Sequence, residues 1–243
     1  AVCRVVKANR RFTIGGIGAR TTAFKSVRYD EGAMENVGCD VESYDLTMVM
    51  EKYNEISADC ADAKLFRERL LATGDYSDAA PYALENLSRL GAAMKAFVDD
   101  NHLDAISIRC WSELQHLLHI APCALLGIFN SMGVPTACET DASNALAAMA
   151  LNAASGEPTG CLDINNNYGT DPDKAVLFHC GPLPVELMVK PGHIEEHLMF
   201  TKTQGENCSW GVNVGHIKPG VTTTTQVVWG ILYFLNVYYK IFN

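Results

Sequence analysis

The sequence predicts an α/β fold: a mostly parallel sheet with helices on both faces, followed by a smaller and mainly β C-terminal part. Short apolar segments of strand character alternate with longer segments in which apolar residues recur every three or four positions. Beyond about residue 183 the alternation stops, and Thr-rich and Gly-rich strand-like pieces dominate. We therefore expect a central α/β domain over residues 1–183 and the start of a β-rich domain over 184–243.

The first half of the chain supplies one strand and two long helices of this pattern. Asp45 is a helix-start residue, and the apolar stripe that follows predicts one helix running through about Thr73. Gly74 begins a polar break, after which leucines at helical spacing predict a second helix. The expected elements are a strand over Val37–Tyr44 and helices over 45–73 and Pro81–Asn101.

The second half of the α/β part repeats the order of strand and helix. Its strands are short and apolar, and its last helix is rich in alanine. A strand–helix–strand unit is a right-handed crossover that joins parallel strands, so the two strands around this helix should be parallel neighbours. The expected strands are Ala105–Cys110, Val134–Glu139, Thr159–Asp163 and a buried Lys174–Phe178, and the expected helices are Ala121–Met132 and Ala142–Ser155.

The last part of the chain, from Val221 to Asn243, is predicted to pack as β-strands against the C-terminal domain or else to be poorly ordered. Val227–Tyr239 contains thirteen residues of which only Asn236 is polar. As a helix it would extend about 20 Å, whereas the hydrocarbon core of a membrane is about 30 Å thick. We therefore expect no membrane-spanning segment here.

Charge and cysteine content exclude several classes of function. The net charge of −9 argues against nucleic acid and against an anionic membrane surface as partners. The nine cysteines are odd in number and scattered, without a C-x-x-C pair, which favours reduced thiols in the cytoplasm. The N-terminus has no signal-peptide pattern and no initiator Met, as expected of a fragment or a processed chain.

Two carboxylates, Glu139 and Asp163, each stand where a predicted strand ends. Parallel strands bring their carboxyl ends to one edge of the sheet, where open α/β folds hold ligands. Two carboxylates at such an edge can hold a divalent metal or divide the roles of general acid and base. His179 ends the strand after Asp163 and can reach the same edge. Cys138 and Cys161 precede this edge and should point away from it by strand alternation.

Three other patterns in the chain have rival interpretations. Gly15-Gly-Ile-Gly18 is glycine-rich like a nucleotide loop, but it lacks both the Rossmann spacing and the Walker ending. His193-Ile-Glu-Glu-His197 matches an inverted zinc-protease pattern, although its flanks do not sustain a long helix and a solvated turn or short helix is the alternative. The basic residues Arg20, Lys25 and Arg28 fit either an anion site or a solvated face.

The chain resembles the L-fucose and L-arabinose isomerase superfamily, and within it the fucose isomerase-like branch. The resemblance covers about residues 12–220 and is lost after Gly220, so the chain corresponds to part of such a protein. It depends on Ile17-Gly-Ala-Arg-Thr-Thr-Ala-Phe-Lys-Ser-Val-Arg-Tyr-Asp-Glu31, Ile108-Arg-Cys-Trp111, Cys138-Glu-Thr-Asp141, Leu162-Asp-Ile-Asn165, Phe178-His-Cys-Gly181 and Gly215-His-Ile-Lys-Pro-Gly220.

This resemblance implies a sugar ketol-isomerase that interconverts an aldose and a ketose through a cis-enediol. Glu139 and Asp163 would be the catalytic carboxylates, and with His179 they would bind Mn²⁺ or Mg²⁺. Arg20 and Trp111 are the predicted substrate-binding residues. The resemblance also implies a homo-oligomer, and it implies a last metal-binding His that this chain does not supply, because His216 lies in a turn and no His follows it.

Two further hypotheses stay open at the level of sequence. One is a non-catalytic sugar-binding or regulatory protein with an incomplete metal site. The other is a nucleotide-binding α/β domain, by analogy of fold alone. Metal content separates the isomerase from both alternatives.

Overall fold

The architecture was obtained as a computed structural model that describes residues 1–224, 226–228, 231–233 and 239–241. Its helices are α1 Val2–Ala8, α2 Glu31–Asn36, α3 Leu46–Glu55, α4 Ala61–Thr73, α5 Pro81–Asp100, α6 Glu113–Leu118, α7 Cys123–Ser131, α8 Ala142–Ser155 and α9 Leu198–Gln204, with a 3-10 turn at Val185–Leu187. Its strands are β1 Phe12–Ile17, β2 Cys39–Tyr44, β3 Gly74–Asp75, β4 Ala105–Ile108, β5 Thr136–Cys138, β6 Asp163–Tyr168, β7 Asp171–Phe178, β8 Gly192–Glu196, β9 Trp210–Val214, β10 Gly220–Thr222, β11 Gln226–Val228, β12 Ile231–Tyr233 and β13 Tyr239–Ile241.

A four-stranded parallel sheet with the order β2-β1-β4-β5 forms the centre of the fold. Helices cover both of its faces and bury two separate apolar clusters. The larger cluster lies under α3, α4, α5 and α7, with Phe66, Leu87 and Phe129 fully buried. The smaller one packs the alanines of α8 against Phe12 and Ile14 of β1. The predicted α/β class, with helices on both faces of a parallel sheet, is confirmed.

The C-terminal part is mainly β, as predicted. Strands β3, β8 and β9 form a mixed sheet in which β3 pairs parallel with β8 and β8 pairs antiparallel with β9. The pairs β10–β13 and β11–β12 are antiparallel. These pairs give the predicted strands within Val221–Asn243, while positions such as Trp229 and Phe234 lie outside the described residues. The division at residue 183 stays a prediction, although β3 from the first part joins the sheet of the second.

Several predicted elements differ from the structure. The helix expected over residues 45–73 is two helices, α3 and α4, because the chain is extended at Ile56 and turns through Ser57–Cys60 before α4. His193–His197 is neither a turn nor a helix: the segment runs as strand β8 up to Glu196. The strand expected to be buried around Lys174–Phe178 is β7, which is largely exposed because, of the strands that the structure describes, it pairs with β6 alone. None of the described helices has the length and apolar character needed to cross a membrane.

The glycines of the sequence Gly15-Gly-Ile-Gly18 serve packing, and no helix begins directly after them. Gly15 lies within β1, where an added Cβ would come 2.5 Å from the side chain of Leu103. Gly18 has a φ of +85°, and a Cβ there would meet Arg109 at 2.8 Å. The chain then runs irregularly until α2 begins at Glu31. Phosphate loops deliver their anion to a helix N-terminus, so this segment does not have that arrangement.

Candidate active site

The candidate site lies at the carboxyl edge of the parallel sheet. Because β1, β4 and β5 run parallel, the segments that follow them leave the sheet on the same side. Arg20 follows β1, Trp111 follows β4 and Glu139 follows β5. This edge is the usual ligand position in open α/β sheets.

Glu139 sits on an unusual turn between β5 and α8. Glu139 and Thr140 both adopt left-handed backbone conformations, with φ of 61° and 58°, and such a conformation is a genuine outlier for a β-branched residue such as Thr. The backbone N–H of Thr140 donates to the carbonyl of Ile108 at 3.2 Å, and that of Asp141 to the carbonyl of Cys138 at 3.0 Å. Strained backbone held by such bonds is concentrated at functional sites.

Asp163 reaches this region by a route that differs from the predicted one. It does not end a parallel strand, as the sequence suggested, because it is the first residue of β6, which pairs antiparallel with β7. The register places Asp163 opposite Phe178, directly before His179. Antiparallel pairing therefore brings Asp163 and His179 to the same end of one hairpin. We call β6 and β7 together the β6–β7 hairpin.

His179 connects the hairpin to the end of β5. Its Nε2 lies 3.2 Å from the Sγ of Cys138, the residue before Glu139. Its Nδ1 accepts a hydrogen bond from the backbone N–H of Cys180 at 2.8 Å and lies 3.4 Å from the Sγ of that residue. Both ring nitrogens of His179 therefore contact protein atoms.

The electrostatics of the site bring the pKa of Glu139 close to neutral pH. Partial burial raises its pKa from the ordinary value to about 7; His179 lowers the pKa, while Cys180, Asp163 and Asp141 raise it. Burial also raises the pKa of Asp141, against backbone N–H bonds that lower it, and Asp163 raises it further. The charge of Asp163 thus acts on two other carboxyl groups, those of Glu139 and Asp141, across the junction of sheet and hairpin. A carboxyl group that titrates close to neutral pH suits proton transfer.

Asp141 has a structural role in addition to this electrostatic one. It is the N-cap of α8, and its carboxylate accepts a hydrogen bond from the backbone N–H of Asn144 at 2.9 Å. A carboxylate at a helix N-terminus interacts favourably with the helix dipole. The cap orients the first turn of α8 and thereby the turn that carries Glu139.

Cys180 and His197 extend the site towards Trp111. Contact with Cys123 and the nearby imidazoles of His179 and His197 lower the pKa of Cys180, against the effect of burial. The ring of His197 lies 5.5 Å from that of Trp111, and Phe200 packs on both rings at 5.1 and 4.9 Å. Trp111, one of the two predicted substrate-binding residues, is therefore linked to the Glu139 region through His197 and Cys180.

Arg20, the other predicted substrate-binding residue, organises its own loop. Its guanidinium donates to the carbonyls of Thr21 and Phe24 at 3.2 and 2.9 Å. Phe24 then packs edge-on against Trp111 at 5.2 Å. Arg20 and Trp111 lie on neighbouring segments of the same sheet edge. The donors of Arg20 that hold the loop are not free for a ligand in this conformation.

A cavity of ≈ 1700 Å³ opens beside the carboxylates. Asp141 and Asp163 line it, together with Cys161 and the basic side chains of Lys25 and Arg28. Glu139 is not among the described residues that line it. Cys161 therefore faces this cavity, which corrects the expectation that it points away; residue 161 lies in a loop, where strand alternation does not apply.

The donor set near the site suits a hard divalent cation only in part. Carboxylate oxygens of Glu139 and Asp163 are the ligands that Mn²⁺ and Mg²⁺ prefer. His179 is a less suitable third ligand here, because both of its ring nitrogens are engaged. Within the described ranges, no three His, Cys, Asp or Glu side chains are grouped so as to hold a metal ion.

Three residues of this region were missed as site members by sequence reasoning. Asp141 was noticed only as a helix-start signal, His197 only as part of a zinc-protease pattern, and Cys180 only as the neighbour of His179. Cys123 and Cys180, for example, are 57 residues apart in sequence. No spacing signal reports a contact of that kind, and only adjacency to His179 pointed to Cys180.

No family model matches the chain. It is 25% identical over 218 residues, 89% of its length, to a protein of Alkalicoccus urumqiensis named sulfoquinovose isomerase, of which the match covers 48%. Proteins with the same name from Priestia megaterium and Clostridium sp. are 23% and 29% identical over 74% and 63% of the chain, covering 40% and 34% of their own lengths. The chain thus spans about half or less of the curated relatives it matches. Their names support an isomerase relationship at low identity without specifying the fucose and arabinose branch.

Proposed function

We propose that this chain contributes the catalytic centre of a sugar isomerase that interconverts an aldose and a ketose, with sulfoquinovose as the first substrate to test. The observation that supports this most directly is Glu139, held on a left-handed turn at the carboxyl edge of the sheet. Its pKa of about 7 lies near the optimum for a catalytic base at neutral pH. Similarity to proteins named sulfoquinovose isomerase supports the same reaction class.

In the proposed reaction, Glu139 takes the proton from C2 of the open-chain aldose. The hydroxyl proton passes between O2 and O1 of the resulting cis-enediol, and Glu139 returns its proton at C1 to give the ketose. Asp163 is the second carboxylate of this exchange. Base catalysis of this type contributes typically about a hundred- to ten-thousand-fold to the rate.

Glu139 and Asp163 would also hold the divalent cation, Mn²⁺ or Mg²⁺. Such a cation supplies charge stabilisation at the carbonyl and hydroxyl oxygens of the sugar. His179 remains a predicted ligand that would first have to release Cys138 or the N–H of Cys180. The aromatic group of Trp111 and His197 offers a surface against which the sugar can pack.

A second candidate, a sugar-binding protein without turnover, is favoured by one observation. No group of three metal-ligating side chains is present in the part of the chain that the structure describes. A sugar could still bind in the cavity beside Asp141 and Asp163 without being isomerised. Turnover separates the two candidates, since both predict binding.

The deciding experiment follows sulfoquinovose and unsubstituted aldoses in D₂O by proton NMR, with and without Mn²⁺. An isomerase gives ketose signals with deuterium at C1, and by the reverse reaction it exchanges the C2 proton of the aldose for deuterium, because the base equilibrates with solvent. Glu139→Gln should lose this exchange, and Glu42→Gln, an exposed glutamate of β2, should keep it. Saturable binding without exchange in any condition would support the second candidate and exclude the first.

Metal binding has its own readout, independent of turnover. The Mn²⁺ content of the protein after dialysis against the metal, measured by mass spectrometry, should fall in Glu139→Gln and Asp163→Asn and stay unchanged in Glu42→Gln. An unchanged content in both site variants would remove these carboxylates as the ligands.

A further inference from the structure

Two cysteine sulfurs face each other at one side of the site. The Sγ of Cys123 lies 3.6 Å from the Sγ of Cys180, and both are free thiols. Cys123 is the first residue of α7, and Cys180 follows His179 at the end of the β6–β7 hairpin. A disulfide has a sulfur–sulfur distance of about 2.05 Å. The two sulfurs are therefore in non-bonded contact, and a movement of roughly 1.5 Å separates them from a covalent bond.

The backbone on both sides of this pair is held firmly. Gly181 has a φ of +100°, and a Cβ there would come 2.6 Å from the backbone nitrogen of Asn213 in β9. Ala121, two residues before Cys123, donates its N–H to the carbonyl of Trp210, also in β9, at 2.8 Å. Strand β9 thus anchors the segments that carry the two cysteines, and the contact of the sulfurs results from this packing.

Solvent exposure distinguishes the pair of Cys123 and Cys180 from a second pair of neighbouring cysteines. Cys110 and Cys138 are also neighbours, since Cys110 raises the pKa of the Cys138 thiol, but they are 3% and 5% exposed. Cys123 is similarly buried at 3%, whereas Cys180 is partly exposed. A small oxidant can therefore reach the pair of Cys123 and Cys180 through Cys180. Susceptibility of a thiol to oxidation follows its access to solvent as well as its chemistry.

We propose that Cys123 and Cys180 form a redox pair that a hydroperoxide converts into a reversible disulfide. The more accessible thiol attacks the peroxide oxygen, giving a sulfenic acid and one molecule of water from H₂O₂. The second thiol then attacks the sulfenic sulfur, forming the S–S bond and releasing a second water. Two electrons pass from the sulfurs to the peroxide, and a dithiol such as dithiothreitol returns them by exchange.

The disulfide would change the surroundings of the candidate base. Cys180 donates its N–H to Nδ1 of His179, its Sγ lies 3.4 Å from the same nitrogen, and its charge raises the pKa of Glu139. A sulfur bound to Cys123 carries neither a proton nor a negative charge, so its contact with Nδ1 of His179 and its effect on the pKa of Glu139 both change. Oxidation should therefore reduce turnover reversibly, an effect that depends on the proposed isomerase function. The formation of the bond itself does not depend on it.

The test is to map the oxidised cysteines directly. The protein is treated with millimolar or lower H₂O₂, alkylated and digested without reduction, and the peptides are identified by mass spectrometry. We expect a cross-linked peptide pair containing Cys123 and Cys180, and a fall from nine to seven in the thiols that react under denaturing conditions. Dithiothreitol should restore all nine.

Two variants and one control make the assignment specific. Cys123→Ser and Cys180→Ser should each abolish the cross-link, while Cys60→Ser should retain it, because Cys60 is a partly exposed helix cap whose Sγ accepts from the backbone of Ala63. A cross-link between Cys110 and Cys138 in the wild-type protein would overturn the proposal. So would irreversible oxidation of Cys180 without any cross-link. Since the mapping uses the wild-type protein, a variant that fails to fold leaves the result intact.

Discussion

The central sheet and the β6–β7 hairpin contribute to the same candidate site but differ in almost every physical respect. The sheet is buried between helices, with all four residues of β4 buried. Among the described strands, β6 and β7 pair with each other alone, and every residue of β6 is exposed. An isolated two-stranded hairpin is only marginally stable in water. One half of the site is thus on a rigid frame, and the other half is on an element with little packing of its own.

This difference predicts how each region responds to substitution. In the sheet, side chains near Glu139 are fixed by packing, so changes there should act on stability as well as on chemistry. In the hairpin, Asp163 is positioned mainly by the register of β6 and β7. Changes along the hairpin should therefore act on the site and on local opening more than on global stability.

The largest expected effect is on turnover by the carboxylate that the sheet presents. Glu139→Gln keeps the shape of the side chain and removes the proton acceptor, so we expect about a hundred- to ten-thousand-fold loss in kcat. The measurement is the rate of ketose formation, with Glu42→Gln as the matched exposed control. A Glu139→Gln protein that retains half of its activity would exclude Glu139 as the base. Asp163→Asn tests the hairpin carboxylate in the same assay.

The second prediction compares the loss of stability when one isoleucine in each region is replaced by alanine. Ile106 in β4 is 0% exposed and Ile164 in β6 is 67% exposed. Ile106→Ala removes buried methyl groups from a packed core and should lower the free energy of unfolding by about 2–5 kcal/mol. Ile164→Ala should change it by about 0.5 kcal/mol or less. Urea unfolding of both variants measures the difference, and equal losses would mean that the hairpin is covered in solution.

Three strands of the central sheet could be predicted from the sequence because their signals are local, whereas β1 was not among the expected strands. Buried strands such as Ala105–Ile108 are short apolar runs, and α8 shows apolar residues at helical spacing after the cap Asp141. Glu139 was found because it directly follows one of these strands. The fold class and the sheet side of the site therefore followed from pattern and order alone.

The hairpin could not be read in the same way. Strand β6 contains Asn165, Asn166 and Asn167, and asparagine is depleted in strands and common in turns. The sequence therefore favoured a loop there and placed the strand before Asp163. The apolar run at the end of β7 suggested burial, although β6 is the one partner of β7 within the described ranges. Strand pairing and solvent exposure depend on the tertiary structure, and so does the contact of His179 with Cys138. A local sequence pattern therefore does not report them.

A third expected effect concerns stability and pH. The pKa of Glu139 is raised on folding from 4.5 to about 7, so its protonated form is favoured by the native state. Its contribution to stability is fully present below about pH 4.5 and is lost as the pH rises towards 7. Because Glu139 is only partly buried, this loss should amount to about 1–2 kcal/mol.

Glu139→Gln removes this titration while keeping the shape of the side chain. The free energy of unfolding of the wild-type protein minus that of Glu139→Gln should therefore fall between pH 4.5 and pH 7 and be constant above pH 8. Glu42→Gln provides the baseline, since Glu42 is exposed on β2. A difference that rises with pH would mean that the carboxylate is stabilised by folding and would remove the basis for a base with a pKa near 7.

The smallest expected effect is at the turn of the hairpin. Gly169 links β6 to β7 with a φ of +58°, and no atom lies within 4 Å of the Cβ that a substitution would add. A larger side chain at position 169 therefore meets no steric obstacle, and the substitution is limited by the left-handed backbone conformation alone. Gly169→Val forces a β-branched residue into the left-handed region and should cost about 1 kcal/mol or slightly more, whereas Gly169→Asn should cost a few tenths.

Because the hairpin packs little, this cost should appear mainly as local opening. Amide hydrogen exchange of β6 and β7 should accelerate in Gly169→Val, while the amides of β1 and β4 keep their protection. The turn lies at the opposite end of the hairpin from Asp163 and His179, so any loss of turnover should follow the loss of protection in the hairpin. If Gly169→Val instead weakened the protection of β4 to the same degree as that of β6, the two regions would unfold as one unit. The contrast between a rigid and a weakly supported half of the site would then be wrong.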